Sequence, residues 1–383
     1  MIDSFSDIIS KMQYHLKHKE EGYAIPMAPK YNNVVGNILP GQYTVVTGMA
    51  SSGKTSFVDV NYVLSVLLQW HKLEVKPPLK IFYFSLKDSS LKKFQSLLCA
   101  YIKLVHNLRV DIPTLNSQPG RLYNLEHEPV LLKAIDDAEI FFNEIMNDEI
   151  LSVITNVSKP TSINSMVVDY LAGLPEYEGE GMPLTMVVID STEHLAPESD
   201  GYHTLMGNEL DYKFDTYLSS LVKDFGVHAV IITPAHGANS KFPKENEPNY
   251  RQLGVFGKTC DRGIVLYNPI SEGNGNYLRC VNDPDAYVTP SGLNTLRFWH
   301  IVKNADGVDS ISNRLLFLPG TSYMIEIDMI EHIDSVAKVQ AFLYNVGLNS
   351  FYKRPPEPDT EPTVDKTTTD VLPVSTDTTT EEQ

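Results

Sequence analysis

The sequence has little cysteine and no long apolar run, and each shortage excludes a class of protein. Only three cysteines occur in 383 residues: Cys99, Cys260 and Cys280, odd in number, widely spaced and outside any CxxC pattern. That pattern argues against a disulfide framework or a zinc site and predicts a reducing compartment. The longest apolar candidate, Tyr62–Trp70, falls far short of the roughly 18 residues a membrane span needs. The opening stretch is polar and amphipathic, without the apolar core and small-residue cleavage site of a signal peptide. A cytoplasmic protein with no membrane partner is therefore expected. Basic residues are scarce as well, 31 Lys plus Arg against 48 Asp plus Glu, for a formal net charge of −17. That balance removes a general positive field as a reason to expect nucleic acid, although a local basic stripe could still bind phosphates. What remains, at 42% hydrophobic and 21% charged, is a globular chain with room for a sizeable core.

Three regions emerge from the patterning. Residues 1–21 carry an amphipathic helix over Ser4–Lys19, with Ser4 and Asp7 as a capping pair and Phe5, Ile8, Ile9, Met12 and Leu16 at helical spacing. A Gly/Pro/Asn-rich connector from Gly22 to Gly41 leads into the main body, residues 22–350. Residues 351–383 form an acidic tail: from Pro355 onward eight acids face one base, Lys366, with almost no large apolar side chain, so disorder is expected. Within the body, TVVTG (Thr44–Gly48), KIFYFSL (Lys80–Leu86), TMVVIDS (Thr185–Ser191), HAVIITPA (His228–Ala235) and RGIVLYN (Arg262–Asn268) read as buried strands. Helix-length stretches separate the first four, the pattern of a mainly parallel sheet flanked by helices. LRFWHIVKN (Leu296–Asn304) and SNRLLFLPG (Ser312–Gly320) read as antiparallel additions at one edge.

One motif dominates. Gly48-Met49-Ala50-Ser51-Ser52-Gly53-Lys54-Thr55 matches G-x-x-x-x-G-K-[ST], directly after a strand and directly before the helical run SFVDVNYVLSVLLQW. Such a string arises by chance in roughly one chain in fifty of this length, and the strand–loop–helix context lowers that further. The glycines let backbone N–H groups curl around a phosphate at the positive end of the helix. Lys54 would reach the β- and γ-phosphates, with Gly48, Ser51, Ser52, Gly53 and Ser56 lining the loop, and the Thr55 hydroxyl would hold Mg²⁺. MVVID ends in Asp190, which fits the second metal-side carboxylate of an ATP·Mg²⁺ site.

These segments, in this order, resemble the RecA-type motor domain of DnaB-like replicative helicases, over roughly Ile25 to Met324. The lead-in IPMAPKYNNVVGNILPGQYTVVTG (Ile25–Gly48) is similar to the family's connector, KIFYFSLKDSSLKKFQSLL (Lys80–Leu98) to its second strand and helix, and VVIDSTEHL (Val187–Leu195) to its Walker B strand. IITPAHGA (Ile231–Ala238) resembles the sensor strand, with His236 where members place a γ-phosphate-sensing Gln or His. LGVFGKTCDRGIVLYN (Leu253–Asn268) and FWHIVKNADGVDS (Phe298–Ser310) resemble the family's later segments. The resemblance implies a RecA-like P-loop NTPase fold, a homo-oligomeric, hexameric ring of the phage type, ATP and Mg²⁺ as cofactors, and translocation on single-stranded DNA in replication. It also implies a primase or other replisome protein as partner, and an N-terminal helix that docks on the next subunit.

Two departures bear on activity. The family's catalytic glutamate should come directly after Phe84-Ser85-Leu86, where this chain has Lys87, with Asp88 as the neighbouring substitute and Glu193 a further possible base. The family's K-x-R arginine finger corresponds to Lys303-Asn304-Ala305, which keeps the nucleotide-contacting Lys303 but has alanine for the arginine. An arginine finger is worth about 10³–10⁵ in rate, so a second reading stands beside the motor: a nucleotide-binding structural or accessory protein with little or no hydrolysis. The expected catalytic set is Lys54, Asp88, Asp190 and His236. For DNA, the loops Pro197–Gly207 and Gly237–Lys258 are expected, the latter with Lys241, Lys244, Arg251 and Lys258. Tyr323 is either a base-stacking residue or core.

Overall fold

The computed structural model describes residues 9, 22–116, 128–179, 181–237, 248–268 and 296–326. Apart from Ile9, the amphipathic helix read over Ser4–Lys19 lies outside the described residues, as do Lys241 and Lys244, residues 269–295 and the tail. No helix among the described residues is long and apolar enough to cross a membrane.

Apolar runs in the middle of the chain become adjacent strands of one sheet. A short helix α1 (Pro29–Val35) precedes β1 (Tyr43–Gly48), which runs into the phosphate-loop motif and then α2 (Lys54–Val58). The helix continues without a break through a π-helical turn, Asp59–Leu64, into α3 (Ser65–His71). Next come β2 (Leu79–Ser85), α4 (Ser90–His106), α5 (Ile112–Leu115), α6 (Pro129–Asn147), β3 (Leu151–Ile154), α7 (Pro160–Ala172) and β4 (Leu184–Asp190). A small hairpin, β5 (Glu198–Ser199) and β6 (Thr204–Leu205), leads to α8 (Asn208–Phe225) and β7 (His228–Pro234). A tight helical segment, Tyr250–Lys258, precedes β8 (Arg262–Tyr267), β9 (Leu296–Asn304), β10 (Ser312–Leu318) and β11 (Tyr323–Glu326).

The main sheet has the order β11-β10-β9-β8-β1-β7-β4-β2-β3. From β8 to β3 every pairing is parallel, while β9, β10 and β11 are antiparallel additions at one edge. This is the expected RecA-like architecture. All seven predicted strands are present. Sequence reading missed β3, a short edge strand with three of its four residues only half-buried, and β11, four residues beyond a tight turn.

The parallel strands are buried on both faces, as such sheets require, and the two-residue period sorts their side chains. Met186 and Val188 of β4 join one core with Ile81 and Tyr83 of β2 and the helix after the phosphate loop. Val187 and Ile189 join the opposite core with Phe82, Phe84 and helices α7 and α8. Asp190 continues the even-numbered series, so its carboxyl faces the helix that leaves the phosphate loop. The sheet's alternation thus aims the site.

Candidate functional site

The loop Gly48–Thr55 leaves β1 at the carboxyl end of the parallel strands, where open α/β sheets bind ligands. Its shape depends on residues that accept left-handed backbone. Gly53 (φ 89°) caps α2, and a β-carbon there would lie 2.3 Å from Met324 Cε. At Gly48 (φ 152°) an added β-carbon would lie 2.3 Å from the Leu266 carbonyl oxygen, on the neighbouring strand's backbone. Ser51 takes φ 61° without being glycine, a conformation that needs outside support. The guanidinium of Arg297 supplies it, donating to the Ser51 carbonyl at 3.0 Å from beneath the loop, 4.8 Å from the Phe317 ring. Arg297 is 1% exposed and carries no family motif, and sequence reasoning did not find it.

Two polar side chains meet at the mouth of this loop. The Thr55 hydroxyl donates to Asp190 Oδ1 at 3.1 Å, across 135 residues of sequence. The Lys54 ammonium donates to the carbonyls of Gly48 (2.7 Å) and Met49 (3.0 Å), curled over its own loop. Ser52 is fully buried and its hydroxyl oxygen has no hydrogen-bond partner among the described residues, while Ser56 is buried on the first turn of α2. A left-handed glycine before a helix N-terminus, a lysine over the loop and a hydroxyl beside a carboxylate are the donor set that a nucleoside triphosphate with Mg²⁺ requires. The residues present fit both groups.

The other oxygen of Asp190 points inward. Asp190 Oδ2 lies 3.1 Å from Tyr83 Oη, whose single proton it shares with Asp59, and 3.3 Å from Lys93 Nζ, which is also 3.1 Å from Asp59 Oδ2. Burial works against the Lys93 ammonium, but the Asp59 and Asp190 carboxylates outweigh it and hold its pKa above the usual lysine value. Neither Lys93 nor Asp59 was read from sequence. The available signal was Asp59 itself, a lone acid within the apolar run FVDVNYVL.

His236 lies two residues beyond Pro234, which pairs with Gly48 in the β1–β7 register. Its N–H donates to the Gln252 carbonyl, which also accepts from the Thr47 hydroxyl, and a β-carbon on Gly254 would collide with its ring. Burial pushes the His236 pKa below its ordinary value. The sensor candidate therefore stands between the end of β7 and the Tyr250–Lys258 segment, beside the loop strand.

The remaining candidates scatter. Lys87 is exposed, and Asp88 is ion-paired with Lys92 one turn along α4. Glu193 accepts from the Ser191 hydroxyl at 3.0 Å and is half-exposed. Lys303 pairs with Gly263 at the other end of the sheet from Gly48, which aligns with Leu266 and, through it, Trp299. Its ammonium donates to the Gly257 carbonyl at 2.9 Å. The cofactor-binding expectation for Lys303 thus cannot refer to the loop of its own chain, because β9 runs antiparallel and carries Lys303 away from it. Ala305 lies on the same remote turn.

Of the expected DNA loops, Tyr250–Lys258 is helical, because Leu253, Val255 and Phe256 turn into the core. Arg251 is exposed near the phosphate-loop end, whereas Lys258 sits at the far end against Tyr212, 3.4 Å from its hydroxyl. The two do not form one patch. The Pro197–Gly207 loop is the β5–β6 hairpin, tied down by Glu198, which accepts from Thr161 N–H (2.7 Å) and pairs with Lys213 (2.9 Å). Its tip exposes Tyr202, at 96%. Tyr323 is half-buried in β11 and its hydroxyl pKa is pushed up to about 12 by burial, in keeping with a core role.

Among the solved structures that share this fold, two superpose over most of the chain. One, described as the ATPase domain of G40P, superposes with a TM-score of 0.63 at 10% identity, covering 85% of this chain and all of that one. The other, described as a DnaB-like replicative helicase and its interactions with primase, gives 0.60 at 12% identity, covering 85% of this chain and 68% of that one. No protein-family model matches the chain, and no curated protein matches it in sequence. The fold is thus a RecA-like ATPase fold, in the form found in DnaB-like helicase ATPase domains.

Proposed function

We propose that this protein binds ATP·Mg²⁺ and acts as a DnaB-like translocase on single-stranded DNA, assembled as a hexameric ring and working in replication alongside a primase or other replisome protein. The observation that carries the reading is the 3.1 Å contact between Thr55 and Asp190 at the mouth of a left-handed-glycine loop. Packing alone does not require a hydroxyl and a carboxylate to converge there from the start of α2 and the end of β4. In this reading Lys54 binds the terminal phosphates, Thr55 and Asp190 hold the metal, and His236 reports the phosphate's presence to the Gln252 segment. Bound Mg²⁺ would neutralise charge on the β- and γ-phosphates. Asp88 orients the attacking water after leaving Lys92, and Lys303 acts on a neighbouring subunit's nucleotide. Tyr202, at the exposed hairpin tip, is the side-chain type on which a base stacks; Lys241, Lys244, Arg251 and Lys258 contribute backbone contacts.

Specific observations favour a second reading, a nucleotide-binding accessory protein that turns over slowly or not at all. Lys87 stands at the glutamate position, Asp88 is already paired with Lys92, and Ala305 stands for the finger. An ATPase assay of the native chain and Lys54→Ala, with and without single-stranded DNA, separates the two. DNA-stimulated turnover abolished by the substitution supports the motor. ATP binding without turnover supports the accessory role, and no ATP binding by the native chain refutes both.

A further inference from the structure

Behind Asp190 lies a charge cluster that nucleotide binding alone does not call for. Lys93, 1% exposed, is contributed by the first turns of α4; Asp59, fully buried, by the π-helical turn after the phosphate loop; Tyr83 by β2. The Lys93 ammonium is 3.1 Å from Asp59 Oδ2, 3.3 Å from Asp190 Oδ2 and 2.7 Å from the Tyr83 hydroxyl, and Tyr83 itself donates to Asp59 at 2.8 Å. Three elements thus meet behind Asp190, with Lys93 and Tyr83 touching its carboxylate and Asp59 holding both.

A buried ion cluster is weak evidence for stability, because apolar side chains of similar volume often serve packing as well or better. The arrangement does something apolar side chains could not. It divides the Asp190 carboxyl: Oδ2 is held by Lys93 and Tyr83, and Oδ1 is left facing Thr55. It also sets the local charge, since one ammonium beside two carboxylates leaves one net negative charge in the cluster, with Asp59 buried behind Asp190 and only Asp190 meeting Thr55. Without the ammonium the two carboxyls would repel each other in a low-dielectric site, and a divalent cation, able to displace any proton they share, would relieve that repulsion.

We propose that Lys93 is a positioning residue for the metal-side carboxylate: its ammonium fixes Asp190 with Oδ1 toward Thr55 and serves as a resident counter-charge that keeps a divalent cation from occupying the loop before nucleotide arrives. The proposal rests on the nucleotide reading only for the identity of the ligand that brings the cation in. Its test needs no nucleotide, so the two can fail separately: the Lys54→Ala assay judges the one and Mn²⁺ alone judges the other.

The full-length protein, its Lys93→Gln variant and its Asp59→Asn variant are titrated with MnCl₂ in nucleotide-free buffer and free Mn²⁺ is read by electron paramagnetic resonance. Lys93→Gln, which uncovers both carboxylates, should bind Mn²⁺ about tenfold more tightly than the native chain, or better. Asp59→Asn, which leaves the whole ammonium to Asp190, should bind no more tightly than native. A lysine that merely holds the fold together would lower the melting temperature of both variants without moving Mn²⁺ affinity in this order. Native-like or weaker Mn²⁺ binding by Lys93→Gln, or tighter binding by Asp59→Asn, overturns the proposal. If Lys93→Gln does not fold in metal-free buffer, its refolding on addition of MnCl₂ sustains the proposal, and failure to refold with MnCl₂ overturns it.

Discussion

Acid should destabilise this protein well before its carboxylates are protonated, and His228 is the clearest cause. It opens β7 fully buried, with Nδ1 2.8 Å from the Leu39 carbonyl and Nε2 without a hydrogen-bond partner among the described residues. Burial pushes its pKa down to about 3, and burial pushes His300, on β9, down to about 4. Both rings are neutral in the fold and charge in the unfolded chain near an ordinary value of about 6.5. A folded pKa below the unfolded one means stability that is complete above pH 6.5 and is lost as pH falls toward the folded value. The slope is about 1.4 kcal/mol per pH unit per group. Between about pH 7.5 and pH 5 each histidine then removes about 2 kcal/mol, a large share of the 5–15 kcal/mol typical of a domain. Asp211, raised to about 6 by burial, works the other way over part of that range, so the native profile alone does not isolate the effect. His228→Asn does, because the amide keeps a donor for Leu39 and cannot titrate. Urea unfolding at the two pH values should show the variant losing about 2 kcal/mol less than the native chain on acidification. Equal losses would refute burial as the force that holds His228 neutral.

Other expectations concern the loop and its supports. Gly48→Ala should lower the melting temperature more than Gly53→Ala, because its β-carbon meets backbone, the Leu266 carbonyl, while that of Gly53 meets the movable tip of Met324; both should weaken ATP binding. Arg297→Met leaves the Ser51 carbonyl without its buried donor and should cost about 1–3 kcal/mol in urea unfolding, together with a loss of ATP affinity by titration calorimetry. Glu326 accepts from Trp299 Nε1 (2.7 Å) and from the Tyr31 (3.0 Å) and Lys30 (2.8 Å) amides at the start of α1. Glu326→Gln, with one acceptor oxygen in place of the two that serve these donors and Asn313, should cost about 1–3 kcal/mol and alter Trp299 fluorescence.

The sequence alone determined the features that depend on local order. Gly48 to Thr55 must form a loop between strand and helix, because glycine spacing and the flanking apolar runs act over neighbouring residues. The same holds for the buried strands, for Asp190 at the end of MVVID and for the antiparallel edge. The stretch Gly237–Lys258, read as a loop, is helical over Tyr250–Lys258 for the complementary reason: charge at Arg251 and Lys258 is visible in sequence, whereas the turning of Leu253, Val255 and Phe256 into the core is not. Only the tertiary structure decided that Lys303 faces away from its own chain's loop, since that depends on the direction of β9 in the sheet. Only it could bring Arg297 under Ser51, and Lys93 and Asp59 to the back of Asp190. Those contacts join residues 34 to 246 positions apart, and a buried charge has no periodicity to announce its partner.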